Sequence, residues 1–137
     1  MKIWKDSQGH EYKTQITVAE VRELKNTLGI NLMEFATGEL MQKLSEDVCL
    51  LCDVLYVVHQ EQARNYGLTD ADFGRNLYGD ALENATQAFV EEAINFFPSQ
   101  KTRNLLNKAM TLGQERMDKA LEKAEKELEK ELRKPIE

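Results

Sequence analysis

Val48-Cys49-Leu50-Leu51-Cys52-Asp53-Val54-Leu55-Tyr56-Val57-Val58 is an apolar run broken only by Asp53. Wound at about 3.6 residues per turn, its side chains cover more than one face of a helix. The β-branched residues permit a strand, but the polar continuation His59-Gln60-Glu61-Gln62-Ala63-Arg64 carries the segment past ordinary strand length. The predicted element is a helix from Glu46 to about Tyr66, capped by Ser45 and ended by Gly67. A helix that is apolar on several sides must be surrounded, so the rest of the chain is expected to pack around it.

Towards the N-terminus, Ile3 and Trp4 precede the turn-forming Asp6-Ser7-Gln8-Gly9, and Tyr12, Thr14 and Ile16 follow at a spacing of two. That pattern predicts a β-hairpin over residues 2–16, laying Trp4, Tyr12 and Ile16 on the helices or offering its edges to a partner strand. Thr17 and Glu20 have capping-box spacing and open a helix with Val18, Val21, Leu24 and Leu28 on its apolar stripe, stopped by Gly29. Asn31 and Glu34 open a short amphipathic element with Leu32, Met33 and Phe35. Leu40, Met41 and Leu44 predict another turn or helix after Gly38.

Towards the C-terminus, Thr69 and Asp72 repeat the capping spacing before Phe73, Leu77 and Tyr78. Leu82, Ala85, Phe89, Val90, Ala93, Ile94 and Phe97 give an amphipathic helix from Asp80, closed by Pro98. Ser99 then caps a helix predicted to run to about Arg133. Leu105, Leu106, Ala109, Met110 and Leu112 in its first half are expected to pack on the body. Beyond Gly113 only Met117, Leu121, Ala124 and Leu128 continue the apolar stripe, at intervals that suit a short coiled-coil seam. The pairs Glu115–Lys119, Glu122–Lys126 and Glu129–Arg133 favour a helix that is stable while exposed. The predicted class is therefore mainly α: a helical domain over residues 1–112 with an N-terminal hairpin, and a charged helical extension over 113–137.

Charge divides the same way. Of the 137 residues, 1–98 carry eight Lys or Arg against sixteen Asp or Glu, and 99–137 carry ten against eight. An acidic body and a mixed tail lack the basic footprint of a nucleic-acid binder. Met1 to Asp6 do not open an apolar leader, and the run Val48–Val58 is too short to span a bilayer, so an intracellular protein without membrane contact is expected.

Candidate chemistry is sparse. Cys49 and Cys52 have the spacing of a redox or metal pair, but no second pair completes a zinc site and the apolar run continues past them, which predicts buried structural thiols. His10 and His59 have no assignable nucleophile or orienting acid. Asp70, Asp72 and Asp80 lack the calcium-loop pattern, and the glycines form no nucleotide fingerprint. No catalytic, metal or cofactor-binding residue is assigned, and a small enzyme with an unfamiliar constellation, to be tested by replacing His59 or Cys52, is the minor alternative. Candidate protein-interaction residues are instead Trp4, Tyr78, Phe96, Phe97, Met110, Met117, Leu121 and Leu128.

The succession Ile16-Thr17-Val18, Gly29-Ile30-Asn31-Leu32, Leu55-Tyr56-Val57-Val58, Gln62-Ala63-Arg64, Gly67 through Gly74, Gly79-Asp80-Ala81 and Phe96-Phe97-Pro98 is similar to small proteins of tailed-phage and prophage tail modules. In particular it resembles the tail assembly chaperones, over roughly residues 10–105, through its order of helices and turns rather than a chemical signature. The resemblance implies a non-enzymatic helper in the cytoplasm of the bacterial host that binds tape-measure and tail-tube proteins and leaves the finished tail. It also implies, in many such families, a longer form made by translational frameshift, although the charged stretch from Lys119 departs from the family there. A self-assembling phage structural protein, with homo-oligomers as its partners, or a general protein-binding adaptor are the alternatives.

Overall fold

The computed structural model describes residues 1–133. Strands β1 (Lys2–Lys5) and β2 (Glu11–Thr14) form an antiparallel hairpin, followed by α1 (Val18–Leu28), a 3₁₀ segment (Leu32–Thr37), α2 (Glu39–Glu46), α3 (Val48–Asn65), α4 (Asp70–Arg75), α5 (Asp80–Phe96) and α6 (Gln100–Arg133). The protein is mainly α, with a two-stranded N-terminal hairpin and a long C-terminal helix.

The chain divides after Pro98 into two units, 1–98 and 99–137. The division predicted at 112/113 instead falls inside α6, the helix that the sequence already predicts to run on to about Arg133. Residues 134–137 of the predicted extension lie outside the described residues.

Within the first unit α3 is the central element, packed on α1, α2, α4, α5 and β2. Val54, Leu55, Val57, His59 and Ala63 are buried along it. Trp4 pairs directly with Tyr12 across the hairpin, so the even-numbered side chains Trp4, Tyr12 and Thr14 share one buried face. That face lies on α3, while β1 also packs against α5. Asp6 closes the hairpin turn: its Oδ1 accepts from the amides of Gln8 and His10, both at 2.9 Å, and Gly9 takes the left-handed conformation at φ 89°.

The capping boxes at Thr17–Glu20 and Thr69–Asp72 are formed, and Gly29 ends α1 at φ 66°. Elsewhere the elements shift. The cap of α3 is Asp47, whose carboxylate accepts from the Leu50 amide, rather than Ser45. Ser45 is still inside α2, its hydroxyl donating to the Gln42 carbonyl. On α1 only Leu24 is buried and Val18 is exposed, so the stripe is narrower than its spacing implies. Met33 is exposed while Leu32 and Phe35 are buried, because a tighter 3₁₀ turn replaces the α-helical one.

Candidate protein-interaction site

The largest concentration of aromatic and polar groups lies inside the first unit. Trp4 stacks on Tyr12 with ring centroids 4.7 Å apart, and Phe73 and His59 meet both rings edge-on. The Leu55 carbonyl can only accept, so His59 Nδ1, 2.7 Å away, carries the proton and donates to it. His59 Nε2 then accepts from the Thr14 hydroxyl at 2.7 Å and, at 3.3 Å, from the Trp4 indole N–H. The same indole N–H donates to Thr14 Oγ1 at 2.9 Å. Burial lowers the His59 pKa to about 4, partly opposed by its bond to Leu55, so the imidazole is a neutral packing group.

Tyr12 is fully buried, and its hydroxyl has no hydrogen-bond partner among the described residues. Burial, followed by the nearby Asp6 and Tyr66, pushes its pKa up to about 12. This cluster bolts the hairpin to the helices; the polar atoms of Trp4, Thr14 and His59 are turned towards one another.

The outer edge of β2 is already occupied. The Gln62 side-chain amide accepts from the Lys13 N–H at 2.8 Å and donates to the Lys13 carbonyl at 2.9 Å, and the Tyr66 hydroxyl donates to the Glu11 carbonyl at 2.7 Å. A partner strand added there must displace these bonds, so β2 is a poor template for augmentation.

The cysteines differ from the expected buried pair: Cys49 is exposed and Cys52 is half-buried, both as free thiols. The start of α3 extends beyond the packing that covers its later turns. The Cys52 pKa is raised, first by burial and then by Asp53 and Cys49, which makes its thiolate scarcer. Among the described residues no three His, Cys, Asp or Glu gather as a metal-binding group. Two recesses of the first unit measure about 110 and 150 Å³, against roughly 300–1,000 Å³ for ordinary small-molecule sites.

The predicted interaction residues separate into three groups. Trp4 and Phe97 are buried, and Phe97, the residue before Pro98, takes an extended backbone that ends α5. Tyr78 is exposed rather than packed beside Phe73 and Leu77, and Phe96 is half-buried. On α6, Met110 is half-buried and Met117, Leu121 and Leu128 are exposed, each of the three at 60% or more. Leu105, Leu112 and Leu132 of α6 are exposed as well, although the spacing of the first two predicts packed positions. No described residue of α6 is buried.

The α6 residues form the coherent set. Met110, Met117, Leu121, Ala124 and Leu128 fall within a sector of about 60° at 100° per residue, along about 27 Å of helix. No helix among the described residues is long and apolar enough to cross a membrane. No protein-family model matches the chain, and comparison with curated proteins and with solved structures gives no match either.

Proposed function

We propose that the protein is a non-enzymatic assembly factor that binds an elongated helical client, acting as a tail assembly chaperone in a tailed phage or prophage. The observation that carries this reading is the apolar line on α6, with Met117, Leu121 and Leu128 exposed. A helix presenting apolar anchors at intervals of three and four residues suits another helix laid along it. The interspersed charges keep the remaining faces of the helix solvated. Tape-measure and tail-tube proteins are the clients proposed, and the bacterial cytoplasm is the proposed compartment.

The chemistry of the first unit supports a binding role over catalysis. His59 is neutral and enclosed by its partners, and the Cys52 thiol is held towards its protonated form. The acidic charge of residues 1–98 also disfavours association with the first unit by nucleic acid.

The test is gentle capture of the tagged full-length chain from phage-producing bacteria, beside a Leu121→Asp/Leu128→Asp variant. Stoichiometric recovery of a long coiled-coil protein with tail-tube subunits, lost with the variant, is expected. Retention of the chain in finished particles would overturn the chaperone role in favour of a structural one.

A further inference from the structure

We infer that, when no client is bound, α6 pairs with α6 of a second copy, parallel and in register, through the Met110–Leu128 line. The inference rests on the reading of this line as a protein-binding face but is independent of the client's identity. Charge on either side of the line selects the occupant.

Measured around the helix from Met117, Asp118, Glu122, Glu125 and Glu129 lie on one flank, at about 80–140°. Arg116, Lys123 and Lys130 lie on the opposite flank, at about 100–140° the other way. All seven are exposed. Glu127 and Glu131 interrupt the basic flank near its C-terminal end, leaving Arg116 and Lys123 as its consistent part.

Two helices related by an axis parallel to them bring the left flank of one against the right flank of the other. An antiparallel pair brings like flanks together. Parallel pairing therefore sets Arg116 and Lys123 against Asp118 and Glu125 of the second copy, whereas antiparallel pairing opposes acid to acid and base to base. Gly113 and Ala120 occupy the basic side next to the seam, and their small size lets the long Arg116 and Lys123 stems lie across it. A client must displace the second copy, so self-pairing keeps the apolar line covered between clients.

The test is sedimentation equilibrium of the purified full-length chain from micromolar to several hundred micromolar concentrations. A reversible monomer–dimer equilibrium is expected. Leu121→Asp should abolish it with an unchanged far-ultraviolet circular dichroism spectrum. Lys123→Glu should weaken pairing by about tenfold, and the Lys123→Glu/Glu125→Lys double variant should restore it. Stronger pairing of Lys123→Glu overturns the parallel arrangement, because an antiparallel pair places that glutamate against the basic flank. A wild-type chain monomeric throughout overturns self-pairing; if it still captures the long client through Leu121, the client is the direct occupant and the proposed function stands. A dimer that captures no such client leaves self-pairing in place and removes the chaperone reading.

Discussion

His59 Nε2 lies 2.7 Å from Thr14 Oγ1, joining the central helix α3 to strand β2 inside the first unit. The bond completes a circuit: Leu55 holds the imidazole N–H, Thr14 donates to the other ring nitrogen, and Trp4 donates to Thr14. Each polar atom is satisfied only while His59 is neutral. A protonated ring has no lone pair to offer Thr14 or the indole, so this joint couples stability to pH.

The His59 pKa falls from 6.5 to about 4 on folding. Above 6.5 both folded and unfolded rings are neutral and the contribution is fully present. As pH falls below 6.5 the unfolded ring takes a proton that the folded ring refuses, so stability declines until about pH 4, where the folded ring protonates too. The full loss is on the order of 3 kcal/mol. Urea unfolding followed by Trp4 fluorescence should show the midpoint falling between pH 7 and pH 4, with a smaller fall in His59→Phe. An equal fall in that variant would assign the effect to the carboxylates.

Tyr12→Phe should leave stability unchanged or raise it by up to about 1 kcal/mol. The ring stays stacked on Trp4, and the variant removes only a buried hydroxyl that has no hydrogen-bond partner among the described residues. Thr14→Val at the same joint should instead cost about 1–3 kcal/mol, since it leaves the indole N–H and the imidazole nitrogen short of their shared partner. Chemical denaturation of the two variants side by side checks the ordering. A loss at Tyr12 as large as that at Thr14 would show that the hydroxyl is used.

Features governed by neighbouring residues were legible in the sequence. The Thr17 and Thr69 capping boxes, the Gly29 stop and the apolar line of α6 depend on spacing within one helix. Features decided by distant packing were not. Trp4 reads equally well as an interface anchor or a core ring until α3 supplies Thr14 and Trp4 with His59. Ser45 and Asp47 both suit a helix cap, and the choice turned on α2 continuing to Glu46. The α6 charge flanks are present in the sequence too, but they acquire meaning only beside an apolar line that stays exposed.

Thiol labelling should distinguish Cys49 from Cys52. Cys49 is exposed, whereas Cys52 Sγ lies 3.5 Å from where a side chain at Gly74 would begin, against the α4 backbone. Its raised pKa further lowers the thiolate fraction. Under native conditions at neutral pH a maleimide should modify Cys49 first, at least about tenfold faster, since attack needs an accessible thiolate. Peptide mapping of the singly labelled protein checks the order. Equal labelling would mean that α4 opens readily from α3.

Gly113→Ala should strengthen α6. Gly113 sits inside the helix without a positive φ, and a Cβ placed there meets no atom within 4 Å. Alanine therefore adds no clash and removes the backbone freedom that glycine keeps in the unfolded chain, a gain of about 1 kcal/mol in local helix stability. Amide exchange across residues 110–117 should slow, while exchange within α3 should stay unchanged because the substitution lies in the other unit. Faster exchange would show that the glycine is required by contacts made when α6 is bound. The methyl also projects beside the line of Met110 and Met117. If self-pairing tightens with helix stability, rigidity limits assembly; if it weakens, the seam there needs the close approach that only glycine allows.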